Sequence, residues 1–348
     1  MTRGFPRRAA IRLALARQYC GQLGKQDNCQ VAVSLSVATH RGSVPIAYRL
    51  YLPKDWADDP VRRATAGVPT DVTFETKPEI ALRQLNQARR DGVPSAVVLM
   101  DPAYGNDSKL RAGITELGLP YAAGIQPATM VWRPGEAPLA PPSRSGRGRP
   151  AKRLRRDGTH RPVSAKTLAL ELATDDWQQV TWRDGSNTPL TSRFARWRVR
   201  PAHDDAKRSK PAAEEWLLIE WPAGTAEPDH YWLSTLPADT ALARLVDQTK
   251  LRWRMTKLRW RIERDYLELK QEVGLGHYEG RGWRGFHHHA SLCIAAYGFL
   301  ISETETIPPS AYSRAGNRAR SAVPAGDRPA EPAAAFTTPH AEFHRHAA

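Results

Sequence analysis

The sequence predicts an α/β protein, and three observations carry that prediction. Two neighbouring segments alternate apolar with polar or small residues at period two. A continuous apolar run of strand length then lies between two helical segments. A second strand-like series, rich in Trp, follows a Pro/Gly/Arg-rich stretch. In chain order, Gln30–Ala38 and Val44–Leu52 form a hairpin about a turn at His40, Arg41 and Gly42. A helix spans about Lys77 to Asp91, with Pro78 in its first turn, Ile80, Leu82 and Leu85 on its apolar side, and Gly92 at its end. The run Ser95–Met100 suits a strand covered on both faces and ends on Asp101. A short helix, Ser108–Leu117, and a strand, Leu119–Ile125, complete the series.

Pro127–Arg161 breaks this order and reads as loop. Val163–Trp232 then carries strand-like runs at Gln179–Trp182, Phe194–Val199 and Trp216–Trp221, as an inserted β-rich unit would. From Ala238 to about Val273 the pattern is that of a long helix, and Ala290–Ile301 reads as a buried one. Residues beyond roughly Ile307 are rich in Pro, Ala, Arg and His and read as a disordered tail.

Composition bounds the function. Lys and Arg number 51 against 36 Asp and Glu, a net charge of +15 that favours polyanionic partners. Arg outnumbers Lys 40 to 11, with Ala and Pro plentiful, and GC-rich codons produce the same mix. No apolar run reaches the roughly 18–20 residues of a membrane span. Three cysteines, Cys20, Cys29 and Cys293, form no zinc pair and no disulfide scaffold, which points to a reducing compartment. The Arg-rich, acid-poor start has the loose composition of a transit peptide.

Few residues carry chemistry. Asp101 stands at the carboxyl end of a buried-type strand, where ligands gather in open α/β sheets; a turn-initiating aspartate is the plainer reading. On the long helix Arg259, Glu263 and Lys270 fall within roughly 40° of one another. Leu251, Leu258, Ile262 and Leu269 form a separate apolar stripe. Spacing alone fits a solvated ion pair better than a functional site. Arg147, Arg149, Lys152 and Arg153 belong to a flexible basic stretch from Arg144 to Arg156, suited to phosphate contact; its Gly146–Pro150 core has the pattern of a minor-groove hook. His287, His288 and His289 point in different directions on a helix, which suits a structural or DNA-facing role better than a metal site. Trp182, Trp197, Trp216 and Trp221 read as core before they read as stacking platforms.

The block from Leu258 to His289, with the segment Ala16–Gln30, closely resembles the DDE transposases of bacterial insertion sequences, the insertion sequence 701 group in particular. The resemblance runs from about Gly4 to about Pro309. It implies a ribonuclease-H-like core, a mixed sheet with flanking helices, interrupted by a β-rich insertion. Residues 1–126 would form its first part, 127–237 the linker and insertion, 238–306 the catalytic Glu helix and 307–348 the disordered tail. It also implies that Asp101 and Glu263 are catalytic ligands of Mg²⁺ or Mn²⁺, and that Arg259 and Lys270 hold DNA phosphates. The implied partners are double-stranded DNA, as terminal inverted repeats and target, and a second copy in synapsis. The implied place is the bacterial cytoplasm, on the nucleoid. Asp101 and Glu263 stand 162 residues apart, too far for an uninterrupted core, which places the Trp-rich unit between them as the insertion.

Two departures from the family pattern stand out. The first catalytic Asp of the family precedes a Gly-Phe-Pro turn, and here Met1, Thr2 and Arg3 alone precede Gly4, Phe5 and Pro6. The start therefore reads as an internal segment, with the first core strand largely missing and its neighbours lacking a hydrogen-bond partner. Such a chain is expected to be catalytically inactive, or a non-enzymatic fragment that occupies transposon ends. Asp27 is the nearest carboxylate and falls in a different loop. Second, Ala103 takes the place of the glycine usual in the Asp-x-Gly-Tyr-Gly turn, an exchange expected to alter the loop.

Overall fold

A computed structural model of the protein describes residues 13–20, 24–39, 43–141, 152–183, 190–254, 268–278, 280–306 and 334–341. The chain forms two units, residues 1–96 with 260–348, and residues 97–259.

The first unit opens on an antiparallel hairpin of β1 (Ala16–Cys20) and β2 (Lys25–Cys29), with Ala16 opposite Cys29. Neither segment alternates in polarity, so the sequence does not announce the pair. Cys20 and Cys29 hold it by packing with Val31 and Tyr51. Asp27 therefore lies in a strand rather than a loop, opposite Gln18. The expected hairpin follows as β3 (Val31–Ala38) and β4 (Ser43–Leu50), with Ala38 opposite Ser43; its turn lies outside the described residues. Val31, Val33 and Leu35 occupy one face of β3, and Ala32, Ser34 and Ser36 the other; both faces are buried. Pro45 in β4 sits beside a register shift, on a strand whose outer edge pairs with no other described strand, where a missing N–H is tolerated.

Two short helices, α1 (Lys54–Ala57) and α2 (Pro60–Thr65), lead to α3 (Lys77–Arg90). Its start is a capping box, Thr76 accepting from Glu79 N and Glu79 accepting from Thr76 N. Gly92, at φ +79°, turns the chain out of the helix. The buried Gln84 donates to Val33 O at 2.9 Å and ties α3 to β3.

The second unit begins with β5 (Val98–Met100), α4 (Pro102–Gly105), α5 (Ser108–Glu116) and β6 (Tyr121–Ile125). Next come β7 (Met130–Trp132), β8 (Val163–Ser164), α6 (Ala165–Leu170), β9 (Gln178–Arg183), β10 (Leu190–Pro201), β11 (Glu215–Pro222) and β12 (His230–Ser234). The helix α7 (Leu242–Arg254) follows. Its sheet runs β5-β6-β12-β11-β10-β7-β8, with β9 also on β10. β5 and β6 are parallel and the other pairs antiparallel, which makes the sheet mixed. Ile125 faces Tyr231 and Ala122 faces Ser234, so the Trp-bearing strands extend the sheet that carries Asp101. Helix α7 buries Leu242, Leu245 and Val246 among Phe194, Trp216, Leu218 and Trp232. Burial of roughly 1.5–3 kcal/mol per side chain far exceeds any pair of charges on its outer face.

Back in the first unit, residues 268–271 are helical and α8 (Trp283–Thr306) follows, packed on β4. The sequence reads Ala290–Ile301 as a buried helix, and the structure buries one face of it. Trp283, Phe286, Ala290, Cys293 and Tyr297 form one buried stripe, while Leu292, Phe299 and Leu300 are 58%, 63% and 52% exposed. A helix lying on a sheet has one contact face, whatever its composition. Residues 334–341, inside the segment read as a disordered tail, form β13 (Ala334–Ala341), antiparallel to β3 with Ala334 opposite Ala38. The edge of β3 away from β4 is thereby paired, as buried backbone groups require.

Candidate active site

The apolar strand β5 is fully buried and delivers Asp101 to its tip, where the side chain is half-buried. Asp101 Oδ1 accepts from Ala103 N at 3.0 Å and Tyr104 N at 3.2 Å, capping the single turn α4. Gly105 N donates to the Asp101 carbonyl at 2.6 Å. Among the described residues nothing bonds Oδ2, so one carboxylate oxygen fixes the turn and the other is open. The turn accommodates Ala103 without strain. This residue is exposed in ordinary helical backbone, and the non-glycine residues with positive φ, among those described, are Ala14 and Asp204.

Glycine is needed elsewhere in the turn. A Cβ on Gly105 would lie 2.0 Å from Gly124 O, and one on Gly124 would lie 2.9 Å from Pro102 Cδ. The Asp101 turn therefore rests directly on the backbone of β6. Arg111, buried on α5, donates to the Gly105 carbonyl. Tyr121 of β6 donates to Glu215 of β11 at 2.7 Å. Burial pushes the Tyr121 phenol upward. Burial also raises the Glu215 carboxyl, outweighing the Tyr121 hydrogen bond and the nearby Arg111, Arg198 and Arg208.

Of the other residues singled out in the sequence, Glu263, Arg259, Arg147 and Arg149 lie outside the described residues. Lys270 is half-buried in the helical stretch 268–271. Lys152 and Arg153 are exposed. In the described part of this stretch Arg155 bridges Leu139 backbone to backbone, and Leu154 N donates to Arg208 O. Two of the three histidines are structural. His287 accepts from Leu50 N at 3.3 Å and meets Trp283 O at 2.9 Å, which fixes its proton on Nδ1, and burial lowers its pKa. His289 meets Gly274 O at 2.9 Å, and His288 is exposed. Trp216 and Trp221 spend their indole N–H groups on Pro237 O and Thr225 O and lie under arginines, a packing role; Trp197 is half-buried, and the side chain of Trp182 lies outside the description.

A family model for the DDE superfamily endonuclease matches residues 3–189, more than half of the chain. The chain belongs to the DDE superfamily endonucleases. It is 32% identical over 111 residues to a Microchaete diplosiphon protein described as "Probable transposase for insertion sequence element IS701". The aligned stretch covers 32% of this chain and 26% of that protein, so the match spans about a quarter of the curated relative's length. In this DDE endonuclease the matched region contains Asp101 and ends before Glu263 and Lys270. No group of three His, Cys, Asp or Glu among the described residues could hold a metal ion; a carboxylate oxygen such as Asp101 Oδ2 is a hard donor of the kind divalent cations prefer. No helix among them is long and apolar enough to cross a membrane.

Sequence reasoning missed Gly105, Gly124 and Arg111 as the supports of Asp101. A glycine four residues beyond a strand-tip aspartate and another in the next strand were the available signals. The contact between them belongs to the fold.

Proposed function

We propose that this chain carries the catalytic core of an insertion-sequence DNA transposase, with the strand arrangement of a ribonuclease-H-like fold. Residues 1–126 and 238–306 form the core around the β-rich insertion 127–237. Asp101 and Glu263 are its metal ligands, for Mg²⁺ or Mn²⁺. Arg259 and Lys270 neutralise DNA phosphates beside them. A divalent metal held there supplies Lewis-acid activation of a water or 3′-hydroxyl for in-line attack on a phosphodiester. The observation that carries the reading is Asp101 itself, fixed at the tip of a buried parallel strand through one oxygen while the other stays open.

The chain's own residues divide the work. The Gly105–Gly124 contact holds the Asp101 turn against β6, and Arg111 holds it from the side of α5. The substrates are the terminal inverted repeats and a target duplex, and two copies pair two ends.

A strand-nicking assay with Mg²⁺ and an inverted-repeat duplex tests this. Metal-dependent cleavage that Asp101→Ala and Glu263→Ala each abolish is expected, with affinity for the duplex unchanged. Binding without cleavage would favour a non-enzymatic fragment that occupies transposon ends. Cleavage that survives both would remove the metal-site assignment.

A further inference from the structure

Two short basic segments, far apart in sequence, meet at one corner of the second unit. Leu154, 5% exposed, donates its N–H to Arg208 O at 3.0 Å. Close by, Arg156 pairs with Asp205 at 3.1 Å. Asp205 is 1% exposed and accepts from Trp132 Nε1 at 2.7 Å. Besides Arg156, six exposed cations stand within two residues of the Leu154–Arg208 bond: Lys152, Arg153, Arg155, Lys207, Arg208 and Lys210. Asp204 neutralises Lys207 at 2.8 Å, and Arg155 reaches the Ala140 carbonyl. Lys152, Arg153 and Lys210 have no ion-pair or hydrogen-bond partner among the described residues.

Crowding like charges costs free energy. Here buried contacts on Asp205 and Trp132 offset it, and most of the surface charge is left uncompensated, as on a surface that receives a polyanion. The chemistry of the corner selects among polyanions. Leu154 is turned inward and Trp132 is fully buried. Neither basic segment exposes a large apolar side chain. The corner therefore lacks the aromatic platforms on which single strands stack and the apolar anchors that seat a protein in a lipid interface. What remains is a fixed set of Lys and Arg donors, the chemistry of duplex phosphate contact.

We propose that this corner is a sequence-independent docking site for the phosphate backbone of duplex DNA, assembled by folding from residues 152–155 and 207–210. The inference rests on the reading of this chain as a DNA-acting protein. It adds a DNA surface whose second half no sequence motif marks.

The test is fluorescence anisotropy of the full chain with a labelled random-sequence duplex, across a salt titration. Lys152→Gln, Arg153→Gln and Lys210→Gln together should lower affinity at least about tenfold at low salt and reduce the salt slope by about 2 to 3. A matched triple of exposed cations elsewhere, Arg17→Gln, Lys25→Gln and Arg89→Gln, should change affinity little. Equal effects of the two triples would overturn the proposal. So would a corner effect confined to single-stranded DNA or to phosphatidylserine vesicles. Melting curves of both triples verify folding. Asp101→Asn separates the two readings: it should leave the corner's anisotropy unchanged, whereas metal-dependent cleavage should disappear. Failure of the metal site thus leaves the corner standing, and the reverse.

Discussion

Two aspartates of the second unit, Asp101 and Asp205, are built in opposite ways. Asp101 is half-buried and bonded to backbone N–H groups two and three residues ahead. Asp205 is buried and bonded to side chains 73 and 49 residues away, Trp132 and Arg156. The first is organised by its own turn, at little cost, and keeps an oxygen open to solvent. The second is consumed by the fold and joins β7, the basic segment and the turn after β10. A carboxylate that must meet a ligand is best fixed locally; one that must hold distant segments is best withdrawn from water.

That contrast can be broken by experiment, starting with the largest effect. Asp205→Ala strips the acceptor from a buried indole and a guanidinium, and should destabilise the second unit by about 3–5 kcal/mol in denaturant unfolding. It should also weaken duplex binding, since Arg156 loses its anchor. Gly105→Ala drives a Cβ into Gly124 O and should cost about 1–3 kcal/mol or more, read as a lowered Tm.

Next come two pH effects of opposite sign. The raised Glu215 carboxyl keeps its proton in the folded state above its ordinary value of 4.5, so its contribution is full below that pH and lost as pH rises. Glu215→Gln should flatten the loss of Tm on the alkaline side of pH 4.5. The lowered His287 is neutral when folded, and its contribution disappears as pH falls below the ordinary value of 6.5. His287→Gln should flatten the acid-side slope. The smallest stability effect is that of Asp101→Asn, which retains the capping oxygen and should shift stability by less than about 0.5 kcal/mol. A large loss there would erase the distinction between the two aspartates.

The sequence made local features legible. The alternation of Val31–Ala38, the Pro78 start and Gly92 stop of α3, and the apolar run ending on Asp101 each lie within a few residues of what they specify. Features that depend on distant partners were not legible. β2 reads Lys25 to Cys29 without an apolar face, and β13 contains Pro339 among small residues; each is a strand because a neighbouring edge offers hydrogen bonds. The exposure of Leu292, Phe299 and Leu300 reflects the single face that α8 turns to β4. At the candidate site, Asp101 was visible as a strand tip, whereas its glycine supports were not. The basic corner was half visible, because residues 152–153 form a charge run while Lys207, Arg208 and Lys210 acquire meaning through one backbone hydrogen bond.

The contact between Gly105 and Gly124 has an evolutionary reading. When two side chains collide, a mutation at one position can be rescued by trimming the other. Here both positions already hold the smallest residue, so neither can yield to the other. Second-site suppressors of Gly105→Ala should therefore arise in elements that let β6 or α4 shift as a body. In a selection for activity the two positions would stay silent together, while Ala103, between Asp101 and Gly105 on the exposed side of the same turn, drifts freely.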